Sequence, residues 1–218
     1  HTWDPYISKQ LPANGLAVHI VSEVMSRAGY DIEMEFMPWQ RVADGLASGD
    51  IDMSVSSWYN QTRATVTQFT DPYLTNNLMI VKRKNDPLAF NSLVEFKQSV
   101  SEKGYRLGVF KDFGYGNDFN EIAPLLSLNY YKYCNQMIRD VATKDTDIAL
   151  LDHWTAVNNL QKQKNIADHL ELIPTPLISR TLHVTISHKN SQHKQIAKAF
   201  NLALKEMKAD GSYNKILQ

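Results

Sequence analysis

Cysteine is almost missing from this chain of 218 residues, because Cys134 is the only one. A single cysteine excludes an internal disulfide and any metal site of the Cys-x-x-Cys type. Cys134 is left with two roles, a reactive nucleophile or a buried structural thiol, and we favour the structural one.

An excess of either charge is also absent, since 23 Lys and Arg balance 23 Asp and Glu. This balance argues against a nucleic-acid partner or an anionic membrane surface, both of which select a strongly basic chain. No apolar run approaches the roughly 20 residues of a membrane-spanning helix. We therefore expect a soluble globular chain whose partner is a small molecule, built as one large domain or as two lobes.

Helical and extended patterns take turns along the sequence. Apolar residues recur at helical spacing over 16–28, and they alternate with acids over 32–36 as in a half-buried strand. Another strand is expected over 51–55, and a long amphipathic helix over 191–208. This alternation predicts an α/β fold with parallel sheets and helices on both faces.

Two polar or proline-bearing interruptions, at 84–87 and 174–179, divide the pattern. We read both as crossings between lobes. One lobe would then combine residues 1–84 with 179–218, and the other would hold 85–178. A double crossing of this kind leaves a hinged cleft.

Short motifs form an ordered set along the chain. They are Trp3–Tyr6 with Gly15, Pro38–Arg41, Leu46–Asp52, Arg63 before Phe69–Tyr73, Gly108–Val109, Asp147–Ala149 with Asp152, and Asp210–Tyr213. The set resembles family 3 of the bacterial extracellular solute-binding proteins, the amino-acid-binding components of ABC importers. The resemblance implies a type II periplasmic-binding fold with a ligand cleft between two α/β lobes.

The same resemblance implies a cellular role. The chain would be a periplasmic monomer whose signal peptide has been removed, and it would deliver a small polar ligand to the membrane permease of an ABC transporter. No cofactor and no metal ion is expected.

Arg63 is the main candidate for ligand binding. It lies just past the predicted strand 51–55, where open α/β sheets present ligand-contacting loops. Its guanidinium can hold a carboxylate through two parallel hydrogen bonds, each worth about 1.5–3 kcal/mol. The resemblance implies this role, and the alternative is a surface arginine paired with a nearby acid.

Asp152 ends a predicted strand over 147–151, and the resemblance implies that it binds a ligand amino group. A carboxylate suits an ammonium group. Asp152 is also well placed to cap the helix expected from about Trp154. The two roles are compatible, and with Arg63 this residue would recognise a zwitterion.

Five further residues follow strands or lie in the loops beside these motifs. Ser56 and Ser57 could donate hydrogen bonds to ligand oxygens, or be ordinary loop serines. The rings of Tyr6, Trp39 and Trp58 could sandwich a ligand, although core packing is the better assignment for Trp39, which opens an amphipathic helix.

A glycine-bearing segment, Asp112–Gly116, lies between a predicted strand and a helix. Phe113, Gly114 and Tyr115 would present backbone amides where an anion binds at a helix N-terminus. The segment lacks the GxGxxG spacing, so dinucleotide binding is not expected.

The chain departs from the amino-acid-binding pattern at Asn60. The resembling proteins have Ser or Thr three residues before the arginine, and the loop 58–62 is bulkier here. The ligand class therefore stays open among amino acids and related carboxylates or amines.

An enzyme is one alternative, because a periplasmic cyclohexadienyl dehydratase uses the same fold and His153 adjoins Asp152. The chain has no GxSxG, HExxH or CxxC motif. A metal site from His183, His188 and His193 is not expected, since the first two would face opposite sides of an extended segment.

A sensory domain of a membrane-bound signalling protein is the other alternative, with the same binding chemistry.

Overall fold

A computed structural model describes residues 2–111 and 113–217 of the chain, so Asp112 lies outside the described residues. Helices and strands follow one another in this order: α1 (Leu16–Arg27), α2 (Trp39–Ser48), β1 (Met53–Trp58), β2 (Thr67–Phe69), β3 (Leu74–Arg83), α3 (Leu93–Lys103), β4 (Arg106–Phe110), α4 (Asn117–Ile122), β5 (Ser127–Tyr131), α5 (Cys134–Thr143), β6 (Ile148–Asp152), α6 (His153–Lys162), α7 (Lys164–Ala167), β7 (Leu170–Leu172), β8 (Ile178–Ser187), α8 (His193–Ala209) and α9 (Ser212–Ile216). Short 3-10 turns occur at Pro12–Asn14, Arg63–Thr65 and Ala123–Leu125.

The chain divides into two compact units. Unit 1 takes the residues up to Thr75 together with those from Thr181 onward, and unit 2 is Asn76–Arg180. Both divisions fall within strands, β3 and β8, so the backbone passes from one unit to the other without a loop.

The strands of unit 1 use β8 as their common partner. β1 and β2 both pair with it in antiparallel fashion, with Met53 opposite Ile186 and Thr67 opposite Ser187. The register of β1 changes between Ser54 and Ser57, which places one extra residue on β1. An extra residue of this kind is a β-bulge, which re-aims the side chains beside it.

Helices α1 and α8 supply the core of unit 1. Ile20 and Val24 of α1 lie in one apolar cluster with Phe200 and Leu204 of α8. Burial of each such side chain contributes about 1.5–3 kcal/mol. The two amphipathic helices predicted from the sequence are therefore confirmed, with bounds that differ by one or two residues.

The strand predicted over 32–36 is wrong. Residues 30–38 lie outside the helices and strands that the structure describes, although the acids there are exposed and the apolar residues half-buried, in alternation. Alternation reports which side chains face water, and it does not require that the backbone have a hydrogen-bonded neighbour.

Unit 2 contains the parallel strands. β4 runs parallel to β5, with Arg106 opposite Ser127, and parallel to β6, with Leu107 opposite Ile148. β3 pairs antiparallel with β6 and β7. Every residue of β6 is buried, as expected for a strand covered on both faces. Helix α5 packs on this sheet and adds Met137, Ile138 and Val141 to the core.

None of the helices within residues 2–111 and 113–217 has the length and apolar character that crossing a membrane requires.

Candidate functional site

Arg63 opens the 3-10 turn that follows β1 in unit 1. Its Nη1 donates a hydrogen bond of 3.0 Å to the carbonyl oxygen of Trp58, and its Cζ lies 4.6 Å from the ring centroid of Trp39. The guanidinium is thus held by a backbone acceptor and by the face of an aromatic ring. Burial lowers the pKa of Arg63, but an arginine stays charged in a protein at neutral pH. An arginine has five N–H donors in a planar fork, so several remain for an anion.

Asn60 positions Arg63 through the backbone. Its Oδ1 accepts a hydrogen bond of 3.0 Å from the Arg63 N–H, and its carbonyl oxygen accepts another from Ala64. Ser and Thr cap a turn in the same way, with a short side-chain oxygen. The departure from the family pattern at this position therefore preserves the local cap, a role that sequence reasoning missed.

Trp39 begins α2 and is half-buried, so its ring is not part of the core. With Ser56 it lines a cavity of about 360 Å³ in unit 1. The same cavity is lined by five acids, which are Asp31, Glu33, Glu35, Asp50 and Asp52. This lining favours a cationic group over an anionic one.

The two predicted serines lie within β1 and not in a loop after it. Ser57 is 2% exposed, and its hydroxyl shares a hydrogen bond of 3.1 Å with the hydroxyl of Thr185. Ser56 is half-buried and falls in the bulged stretch of the strand. Ser56 is the more accessible of the two for a ligand, and Ser57 holds β1 to β8.

Trp58 and Tyr6 both contact Trp3. The rings of Trp3 and Trp58 meet edge to face with centroids 5.9 Å apart, and those of Trp3 and Tyr6 are 4.6 Å apart. Trp58 is half-buried, whereas Tyr6 is 1% exposed within the unit 1 core. A ligand contact stays a prediction for both rings, and Trp58 is the more accessible.

Asp152 lies at the end of β6 in unit 2, where it is 4% exposed. Its Oδ1 accepts a hydrogen bond of 3.0 Å from the Thr155 N–H and caps α6. Its Oδ2 accepts one of 3.2 Å from Asn76, which is itself buried. The capping role predicted for Asp152 is confirmed, and the ligand role stays a prediction.

The segment from Phe113 to Tyr115 has a chain of ring contacts. The rings of Phe113 and Tyr115 are 5.6 Å apart, and Tyr115 is buried, with its phenolic oxygen accepting a hydrogen bond of 2.8 Å from the Phe110 N–H. Burial raises the pKa of the Tyr115 hydroxyl. Gly114 is exposed. The helix that follows, α4, begins at Asn117 and is short.

Arg180 is a cation beside this segment that sequence reasoning missed. Its Nε and Nη2 donate hydrogen bonds of 3.0 and 2.6 Å to the carbonyl oxygen of Tyr115, and its Nη2 lies 3.6 Å from Asp118. Gly116 adjoins it with φ of 95°, and a side chain at that position would overlap the Arg180 guanidinium. Arg180 and Tyr115 are 65 positions apart in the sequence, which explains why no local pattern predicts the contact.

Within the described ranges, no group of three or more His, Cys, Asp or Glu side chains is arranged to hold a metal ion. His183 is buried, and its ring nitrogens form hydrogen bonds with the Thr70 carbonyl oxygen and the Thr181 hydroxyl. His153 packs edge to face on Trp154.

Comparison with known proteins gives a family match over nearly the whole chain. The model of the bacterial extracellular solute-binding proteins, family 3, matches residues 2–218. The arginine-binding extracellular protein ArtP of Bacillus subtilis (strain 168) is 24% identical over 213 residues, which cover 93% of this chain and 75% of ArtP.

Solved structures show the same fold. An ancestral arginine-binding protein bound to arginine superposes with a TM-score of 0.76 at 19% identity, over 98% of this chain and 92% of its own. A histidine kinase sensor domain with similarity to periplasmic binding proteins gives a TM-score of 0.78 at 16% identity, over 98% and 90% of the two chains. These likenesses confirm the type II periplasmic-binding fold.

Proposed function

Because the chain belongs to the bacterial extracellular solute-binding proteins, family 3, we propose that it captures a small polar ligand, an amino acid or a related carboxylate or amine, and delivers it to an ABC importer. The protein acts in the periplasm as a monomer and catalyses no reaction. The predicted lobes, 1–84 with 179–218 and 85–178, and the cleft that the resemblance implies are part of this proposal.

The setting of Arg63 is the observation that carries the proposal. Its guanidinium is fixed by the Trp58 carbonyl oxygen and by the Trp39 ring, so little side-chain entropy is lost when it meets an anion. Partial burial strengthens a hydrogen bond to a carboxylate, because water competes less well there. We assign to Arg63 the binding of the ligand carboxylate.

Other predicted residues take supporting roles. Ser56 donates to a ligand oxygen, and the rings of Tyr6, Trp39 and Trp58 contact the apolar part of the ligand. In unit 2, Asp152 accepts from a ligand amino group, and the segment Phe113, Gly114 and Tyr115 contributes backbone amides and ring surface.

A cationic amino acid is the first ligand to test. ArtP is named as arginine-binding, and the acids that line the cavity beside Trp39 in unit 1 favour a positive side chain. L-arginine therefore heads the panel, followed by neutral amino acids, polyamines and small carboxylates.

Thermal unfolding of the purified chain tests the proposal. A ligand at 100 times its dissociation constant stabilises by about 2.7 kcal/mol, which raises the midpoint of a chain of this size by roughly 5 to 10 °C. Arg63→Ala should abolish the rise. Arg41→Ala is the matched control, because Arg41 is an exposed arginine of α2. The assignment of Arg63 is wrong if both variants respond like the parent, or if only ligands without a carboxylate stabilise the chain.

A sensory input domain is the second candidate function. The histidine kinase sensor domain among the structural relatives supports it. Deletion of the gene separates the two functions: a transport receptor is required for uptake of the ligand, whereas a sensor is required for a transcriptional response while uptake persists.

A dehydratase activity is tested by incubation with a cyclohexadienyl acid, and formation of an aromatic product would overturn the non-catalytic proposal.

A further inference from the structure

The structure brings together two histidines that the sequence does not pair. His188 follows β8 and His193 begins α8, and their ring centroids lie 4.9 Å apart at an interplanar angle of 49°. The sequence places His183 and His188 on opposite sides of an extended segment, which argues against a metal site that includes both. The turn of residues 188–193 instead folds His193 back toward His188.

Both rings are held in the tautomer that leaves Nε2 as an electron-pair donor. His188 Nδ1 lies 3.3 Å from the carbonyl oxygen of Thr65, and His193 Nδ1 lies 2.8 Å from that of Asn190. A carbonyl oxygen only accepts, so each Nδ1 carries the proton and each Nε2 carries a lone pair. In the part of the chain that the structure describes, neither Nε2 has a hydrogen-bond partner. A carbonyl on one ring nitrogen is the usual partner of a metal-binding histidine.

The spacing of the rings matches that of two imidazoles on one metal ion. With a metal–nitrogen distance of about 2.0 Å, the ion lies about 3.2 Å from each ring centroid. The centroids are then about 5.2 Å apart in tetrahedral geometry and about 4.5 Å apart for two adjacent ligands at a right angle. The observed 4.9 Å lies between these values.

The backbone around the pair is ordered by its own hydrogen bonds. Asn190 Nδ2 donates to Asp52 at 2.8 Å, and Asn190 Oδ1 accepts from the Gln192 N–H at 2.8 Å. The His188 N–H donates to the Val66 carbonyl oxygen at 3.0 Å. The two ligands are therefore pre-positioned, which lowers the cost of binding.

We propose that His188 and His193 form a surface site for a divalent transition-metal ion, with zinc or nickel as the occupant. Both rings line one cavity of about 620 Å³ in unit 1, together with Tyr59, Gln68, Phe69 and Lys194. Water completes the coordination shell, as expected for a site with two protein ligands. The Lys194 ammonium opposes the charge of the ion and weakens the site. The cavity adjoins the Arg63–Thr65 turn through Ala64, but Arg63 itself is not among its lining residues.

Isothermal titration of the chain, without a polyhistidine tag, with zinc chloride at neutral pH tests the proposal. We expect one ion per chain, a tighter site for copper than for nickel or zinc, and no binding of magnesium or calcium at the same concentration. His188→Gln and His193→Gln should each weaken zinc binding by about tenfold or more. Lys194→Gln should strengthen it.

His169→Gln is the matched control, because His169 is exposed and lies in unit 2. Imidazole NMR signals of His188 and His193 should shift on titration, and circular dichroism of the metal-free variants should match the parent. The proposal is overturned if zinc does not bind, if the double variant binds as tightly as the parent, or if the shifted signals belong to other histidines.

Discussion

The guanidinium of Arg63 lies against the flat face of Trp39, with 4.6 Å between Cζ and the ring centroid. A cation over an indole is stabilised by about 0.5–2 kcal/mol, depending on its exposure to water. The contact also fixes the direction in which the guanidinium fork points. Trp39 therefore positions the residue that we propose as the carboxylate anchor.

Trp39→Leu should weaken binding of the best amino acid of the panel by about 2- to 30-fold, since the cation–π energy of about 0.5–2 kcal/mol is lost. Trp39→Phe, which keeps a ring, should retain most of the affinity. Isothermal titration measures both. Equal affinities for the parent and the Leu variant would show that the ring does not position Arg63 for the ligand.

Asp152→Ala should lower the free energy of unfolding by about 0.5–2 kcal/mol, because α6 loses its cap and the amide of Asn76 loses an acceptor. Asp152→Asn keeps a side-chain oxygen at the cap and should cost less. Urea unfolding measures the two changes.

The same Asn variant separates capping from ligand binding. If the Asp152 carboxylate binds a ligand ammonium group, Asp152→Asn weakens amino-acid binding while stability is largely retained. Unchanged affinity in the Asn variant would leave Asp152 with the capping role alone.

Gly116→Ala should destabilise the protein by about 1–3 kcal/mol, since its backbone conformation is one that essentially only glycine adopts. Its φ is 95°, and an added Cβ would meet the Arg180 guanidinium. Gly114→Ala is the control two residues away, where no atom lies within 4 Å of the added Cβ, and it should change stability by no more than about 0.5 kcal/mol. Equal chemical denaturation curves for the two variants would contradict the contact with Arg180.

Cys134 should react slowly in the folded protein. Cys134 is half-buried, and desolvation raises the pKa of its thiol to about 12, so at pH 8 the thiolate is roughly a thousandfold rarer than for a thiol with a pKa of about 8.5. Alkylation by iodoacetamide, followed by mass spectrometry, should be slow in buffer and fast in denaturant. Because the folded pKa is the higher one, this thiol favours the folded state below about pH 8.5 and loses that contribution as the pH rises toward 12. Fast alkylation of the folded chain would contradict the burial of this thiol.

The features of the fold that depend on one stretch of sequence could be predicted from it. The apolar stripes of α1 and α8 mark each helix because each repeats on a single face. The cap of α6 could be predicted too, because the Asp152 carboxylate accepts a hydrogen bond from an N–H only three residues further along the chain.

Features that depend on distant partners could not be predicted. β1 runs from Met53 to Trp58, beyond the predicted Val55, because its ladder partner is β8. Its bulge arises from the same pairing, and the Ser57–Thr185 bond joins residues 128 apart. In the candidate site, Arg63 could be named from its motif. Its contact with Trp39 required the folded backbone.

The division of the chain within β3 and β8 has a consequence for the order in which the protein folds during synthesis. Unit 2 is one continuous segment, Asn76–Arg180, so all of its strands are synthesised before the last part of unit 1. The apolar face of α1, by contrast, packs on α8, which begins at His193. The apolar face of α1 therefore cannot pack on α8 until nearly the end of synthesis. A translation pause before α8 would leave Ile20 and Val24 exposed to water. Apolar side chains exposed in this way make an incomplete chain prone to aggregation.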